Sequence, residues 1–184
     1  MTTSLYKSLA GIEETRNNEV HMLGLDLDST LILRAKEKNV YPENITYSTS
    51  DVMQVDFLEY LTSYLNKFDN TIFDIGFCLS ITMWIHLNHG DDGLRTFLRR
   101  MSASVHYLVI EPQPWKCYRS AVRRTRKLRQ TEFPQYNALK HRGDVIDFIK
   151  QYLTQDCCMT FKACCGETDW GRPIWLFENG AGVL

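Results

Sequence analysis

Long apolar runs are missing from this 184-residue chain; none approaches the roughly 18 residues that a membrane-spanning helix needs. The first 15 residues, MTTSLYKSLAGIEET, have neither a continuous apolar stretch nor a cleavage signature, so no secretory leader and no membrane partner are expected. C-x-x-C pairs are missing too. The six cysteines (Cys78, Cys117, Cys157, Cys158, Cys164 and Cys165) have no His at zinc-finger spacing, so no metal site is expected. They read as reduced thiols, three or more of them in strands, which fits a cytoplasmic setting with the nucleus as a second one. The net charge is only −1, so any contact with nucleic acid must come from a local patch. Repeats, low-complexity tracts and linkers are absent. With 44% apolar and 23% charged residues, residues 1–184 read as one globular domain, and a monomer is expected.

Strand and helix signals alternate along the chain. Residues 4–10 resemble the end of a helix, and Asn17-Asn18 mark a loop. Val20 to Leu25 reads as a strand, followed by a helix capped by Asp28 or Ser29, with Leu31, Ile32 and Ala35 at helical spacing. Asn44 to Ser48 reads as a short strand ending near Asp51. Phe57, Leu58, Leu61, Tyr64 and Leu65 form the apolar face of a helix. Phe73 to Leu79 and Tyr107 to Ile110 are the nearly continuous apolar runs of buried parallel strands; the second stops at Glu111-Pro112, because proline cannot continue a central ladder. Helices are expected at Gly93–Met101, Lys116–Arg129 and Val145–Leu153. Cys157–Cys165 and Ile174–Phe177 read as an antiparallel hairpin. The alternation argues for an α/β fold with a parallel sheet flanked by helices.

The stretch MLGLDLDSTLILRAKEKN, residues 22–39, admits two chemistries. A strand ending in D-x-D-x-T opens a haloacid-dehalogenase-type phosphatase, with Asp26 as nucleophile and Asp28 as acid–base. Ser80 or Thr82, Lys140, and Asp144 with Asp147 would complete that set. A strand ending in one acid and followed by a helix is also where a nucleotide-binding α/β sheet holds a ribose. The phosphatase set is built of common residues, its G-D-V-I-D pair is one residue short, and a helix starts where a turn and flap belong.

Two longer strings favour the second chemistry: FDIGFCLSITMWIHLNHGDDGL (residues 73–94) and YLVIEPQPWKCY (residues 107–118). A core explains Ile85 and Leu87; it does not need His86, Asn88 and His89 beside them, nor Gln113 between two prolines. From about Leu5 to Phe177 the chain resembles the Bicoid-interacting protein 3 family of RNA 5′-phosphate methyltransferases, nearest to its small-RNA 5′-monophosphate subgroup, which acts on histidine transfer RNA and precursor microRNA. The resemblance implies a Rossmann-like class I S-adenosylmethionine-dependent methyltransferase fold. It implies that Asp26 accepts both ribose hydroxyls of S-adenosylmethionine, with Leu27 against the adenine. Asp51 would accept the adenine amino group beside Val52, and Leu79 and Ser80 would floor the methionine. His86, Asn88, Gln113, Trp115 and Lys116 would grip the RNA phosphate or stack on the terminal nucleotide. Nuclear capping relatives carry a Lys where this chain has Met83, which favours the monophosphate subgroup.

A phosphate monoester has its second pKa near ~6, so it is mostly dianionic at neutral pH and needs no general base. Catalysis is then expected from positioning and an electrostatic cage. From Lys116 to Arg129 there are seven basic residues and no acid, with Arg119, Arg123 and Arg126 at helical spacing. Such a stripe neutralises RNA phosphates without reading sequence, and Trp115 and Tyr118 could stack on bases. One feature departs from the resemblance. Gly11 is the only glycine before Gly24, so the first strand and glycine-rich loop that cradle the cofactor's methionine are not found, and neither is the family's aromatic, arginine-bearing N-terminal segment. The expectation is an N-terminally incomplete domain, with unpaired edges on the strands at 20–25 and 73–79. An alternative follows: a catalytically incomplete form that binds RNA or regulates a full-length partner.

Overall fold

The structure, a computed structural model, describes residues 2–12, 19–128 and 133–180. The Asn17-Asn18 loop and Arg129 of the basic run lie outside the described residues. The chain divides into two compact units, Met1–Phe57 and Leu58–Leu184.

The first unit contains α1 (Thr2–Ala10), β1 (Met22–Asp26), α2 (Ser29–Glu37) and β2 (Ile45–Thr49). β1 and β2 run parallel, with Met22 opposite Ile45 and Asp26 opposite Thr49. Asp28 starts α2: its carboxylate accepts the backbone N–H groups of Thr30 and Leu31, two of the donors that every helix start leaves unpaired. Ile32, Ile45 and Tyr47 form the buried core, with Tyr6, Met22, Ala35 and Tyr41 packed round it. Gly24 lies directly under Tyr47; a Cβ there would come within 2.8 Å of the ring.

The second unit contains most of α3 (Phe57–Leu65), then β3 (Phe73–Leu79), α4 (Thr82–Ser104), β4 (Val105–Glu111), α5 (Trp115–Lys127), α6 (Val145–Gln151), β5 (Met159–Glu167) and β6 (Pro173–Asn179). Its sheet has the order β3-β4-β6-β5. β3 and β4 are parallel, whereas β6 and β5 form the expected antiparallel hairpin. Leu108, Ile110 and Phe177 are fully buried, and α4 packs on β3 and β4. Cys78 is buried in β3, which pushes its thiol up to about 12.

The single interrupted sheet expected from the sequence is seen as two sheets. Among the described residues β1 pairs with β2 alone and β3 with β4 alone. The helix expected from Gly93 begins eleven residues earlier, at Thr82, and bends at Gly90 (φ 72°, ψ −173°). That conformation is open essentially to glycine alone, and the bend hides the helical period from a reading of the sequence. The basic helix runs from Trp115 to Lys127.

Candidate functional site

In the first unit, Asp26 ends β1 and Asp51 follows β2, so both carboxylates stand at the carboxyl end of a parallel pair. Asp26 Oδ1 accepts the backbone N–H of Asp28 at 2.9 Å, and Asp51 Oδ1 accepts that of Met53 at 2.8 Å. Leu27 is 70% exposed, and Val52 is half-buried. Two acceptor carboxylates beside an exposed apolar side chain suit a nucleoside: hydroxyl and amino groups to bind, and a flat ring to cover. Asp28 is spent on capping α2, which removes it as the acid–base of a phosphatase.

In the second unit the carboxyl ends of β3 and β4 carry a polar cluster. Leu79 is half-buried. Ser80 follows it at φ 57°, uncommon for a residue with a side chain. Its Oγ donates to Glu111 Oε2 at 2.9 Å. Arg172, from the β5–β6 loop, reaches back with Nη1 to Glu111 Oε1 at 3.0 Å and to Ser80 Oγ at 3.2 Å. Among the described residues its Nε is buried without a hydrogen-bond partner. Lys116 Nζ donates to the Trp170 carbonyl at 3.3 Å, so the start of α5 and the hairpin loop meet at this end of the sheet.

His86 is corrected from catalytic to structural. It is fully buried, and both ring nitrogens are engaged: Nδ1 with the Tyr118 hydroxyl at 3.1 Å and Nε2 with Asp91 Oδ1 at 3.0 Å. Burial pushes the imidazole below its ordinary value, against the pull of Asp91. Burial also raises Asp91, but the bonds from His86 and from the backbone N–H groups of Lys140 and His141 outweigh it and hold the carboxyl low. The neutral ring therefore donates Nε2–H to an ionised Asp91 and accepts the Tyr118 O–H at Nδ1. Gln113 is buried as well. Its Oε1 accepts the Thr82 hydroxyl at 2.7 Å and the Met83 N–H at 2.9 Å, which closes the start of α4. Neither side chain is placed to grip a phosphate. Asn88 is exposed on α4, where its Nδ2 donates to the Trp84 carbonyl.

Tyr118 is corrected too: it is fully buried, and no base can stack on it. Trp115 is already covered. Tyr136 lies on it at 5.3 Å and 3°, and the Arg142 guanidinium stands 5.6 Å from its centroid. Arg119, Arg123, Arg126 and Lys127 line one open groove with Val122 and Tyr136.

The structure thus brings together Asp26, Leu27, Asp51 and Val52 in one unit. It brings together Leu79, Ser80 and the start of α5 in the other. Reading the sequence missed Glu111, Arg172, Asp91 and Tyr136. Glu111 had a signal, as a charge closing an apolar strand, but was read only as a stop. Arg172 had none, being one arginine in a hairpin loop.

A family model described as Bicoid-interacting protein 3 matches residues 73–179. The chain is 44% identical over 184 residues to an RNA 5'-monophosphate methyltransferase of Homo sapiens; the match covers 97% of this chain and 63% of that protein. It is 40% identical over 184 residues to a pre-miRNA 5'-monophosphate methyltransferase of Danio rerio, covering 97% of this chain and 72% of that one. The chain therefore spans less than two thirds of the length of its mammalian relatives. Among solved structures it is similar to magnesium protoporphyrin IX methyltransferase from Synechocystis with bound SAH (TM-score 0.51, 14% identity, covering 96% of this chain and 83% of that one). It is also similar to WbdD (TM-score 0.54, 16% identity, 97% and 39% covered). At such identities the likeness concerns the fold, which is the Rossmann-like class I methyltransferase fold.

Proposed function

The chain belongs to the Bicoid-interacting protein 3 family, and from that premise we propose that it transfers a methyl group from S-adenosylmethionine to the 5′-monophosphate of a small RNA, of the histidine transfer RNA or precursor microRNA class. The observation that carries this reading is the passage from the carboxyl end of β4 into α5. Within it a cluster of Ser80, Glu111, Arg172 and Lys116 gives way to a helix without a single acid. Strand carboxyl ends are where open α/β sheets bind ligands, and the helix supplies charge for a polyanion. The names of the relatives support the same acceptor.

Bound S-adenosylmethionine supplies an electrophilic methyl group. Asp26 and Asp51 would accept hydrogen bonds from its ribose and adenine, with Leu27 and Val52 against the ring. Lys116 and Arg172 supply the positive charge for the RNA phosphate. Glu111 holds Arg172 in place and offsets part of its charge, which keeps the phosphate oxygen nucleophilic. His86 and Gln113 act by positioning: Gln113 closes the start of α4, and His86 ties α4 to α5. We place the chain in the cytoplasm as a monomer, on the support of its six free cysteines and an exposed cationic groove.

The test is methyl transfer from labelled S-adenosylmethionine, offered to the 184-residue chain with one RNA bearing either a 5′-monophosphate or a 5′-hydroxyl. Label on the phosphorylated RNA alone is expected. Equal label on both, or on neither, overturns the proposal.

A further inference from the structure

The groove along α5 holds more than charge. Among the described residues Arg119, Arg123, Arg126 and Lys127 line it, and no acidic one does. Basic residues in the last turn of a helix are ordinarily explained by its dipole, and Arg124, Arg126 and Lys127 satisfy that explanation. Arg119 and Arg123 do not, because they lie in the middle of the helix. Set four residues apart, as are Arg123 and Lys127, these like charges work against the helix. The other wall of the groove is Tyr136, from the segment that follows residue 132. Tyr136 is packed on one side. One face lies flat on Trp115 (5.3 Å, 3°), and Trp115 contacts Tyr118 at 5.0 Å and Arg142 at 5.6 Å. Below it Tyr118 is fixed by His86, and His86 by Asp91, which also accepts the backbone N–H groups of Lys140 and His141. The groove therefore joins a preorganised aromatic ring to a row of guanidinium groups, the two parts of a single-stranded nucleic-acid site.

We propose that this groove is a nucleotide subsite for single-stranded RNA: one unpaired base stacks on Tyr136, continuing the Trp115–Tyr136 column, while the flanking phosphates lie along Arg119, Arg123 and Arg126. The proposal takes its polymer from the reading of the chain as an RNA-directed enzyme, but its test involves no methyl transfer. It differs from the earlier expectation that Trp115 and Tyr118 stack on RNA. Those side chains support the platform, and Tyr136 presents it.

The experiment is fluorescence anisotropy of a labelled 5′-hydroxyl oligoribonucleotide with the full chain, across a salt series. A 5′-hydroxyl end leaves the proposed methyl-acceptor phosphate out of the measurement. Tyr136→Leu is expected to weaken binding about ten-fold, whereas Tyr136→Phe, which keeps the ring, stays within about two-fold of the parent. Arg119→Gln combined with Arg123→Gln is expected to weaken binding and to lower the slope of log affinity against log salt by about 1.4. A duplex of the same length is expected to bind more weakly than the single strand and to be indifferent to Tyr136→Leu. Equal loss in the Leu and Phe variants overturns the proposal, as does no loss in either, or a duplex that binds as well as the single strand; the groove would then be a surface of charge alone. Near-ultraviolet circular dichroism of each variant checks that the Trp115 column stays packed. If the oligonucleotide binds as described while methyl transfer fails, the functional reading falls and the subsite stands.

Discussion

The two units of this chain are built on different terms. The first rests a two-stranded parallel sheet on three buried residues, Ile32, Ile45 and Tyr47. The second has a four-stranded sheet with Leu108, Ile110, Phe177, Leu87, Leu94, Leu98, Ile149 and Leu153 fully or almost fully buried. Two strands and a small core are marginal in water, and three or more strands on an apolar face are not. The two acids proposed for the nucleoside, exposed Asp26 and half-buried Asp51, sit on the unit with the smaller core, whereas the polar network beneath the proposed RNA groove is buried in the other. A nucleoside bound to Asp26 and Asp51 would stabilise the first unit by linkage.

The largest effect that would test this contrast is expected at His86. His86→Ala leaves the Tyr118 hydroxyl and the Asp91 carboxylate short of a partner inside the second unit, and should cost about 3–5 kcal/mol in thermal or urea unfolding. The same network carries a pH signature. His86 and Asp91 both titrate below their ordinary values in the folded chain. For both, the unfolded chain takes up protons first as pH falls, so stability is complete at neutral pH and is lost on acidification. The loss begins near the ordinary imidazole value of about 6.5 for His86 and lower for Asp91. His86→Gln should remove the first part of that slope and leave the second.

A somewhat smaller effect is expected from Ile45→Ala, at about 2–4 kcal/mol, and it should stay local. Amide hydrogen exchange should lose protection across residues 22–49 while the core of the second unit exchanges as before. If both units lose protection together, the contrast drawn here is wrong. Smallest is Asp28→Ala, which removes the cap of α2 and should cost about 1 kcal/mol, seen as faster exchange at the start of α2 with no change in β3 or β4.

Much of this contrast is legible in the sequence, and the reason differs from place to place. The strands β3 and β4 are legible because they are nearly continuous apolar runs, broken only by Asp74 and His106, and the Glu111-Pro112 stop follows from chain chemistry alone. Asp28 as a cap is equally local. Asp26 and Asp51 can be placed because strand ends are predictable. Other features rest on contacts that no sequence window contains. His86 meets Tyr118 thirty-two positions away and Asp91 only because Gly90 bends the helix between them. The Arg172–Glu111 pair joins a hairpin loop to the end of a strand sixty-one residues earlier. For that reason His86 and Gln113, polar among apolar residues, read as catalytic when their hydrogen bonds are in fact spent inside the fold. Tyr118 and Trp115 read as RNA contacts when they are the foundation under Tyr136.

Gly90 carries a consequence for how mutational data on this chain would look. Every side chain from alanine upward meets the same backbone penalty at φ 72°, ψ −173°. In a saturation library all nineteen alternatives would be depleted together, at about 1–3 kcal/mol each, a profile usually credited to a residue that touches substrate. Scored for abundance as well as turnover, the two profiles separate: a residue that acts on substrate leaves the protein level intact, whereas Gly90 variants would fall in both measurements together.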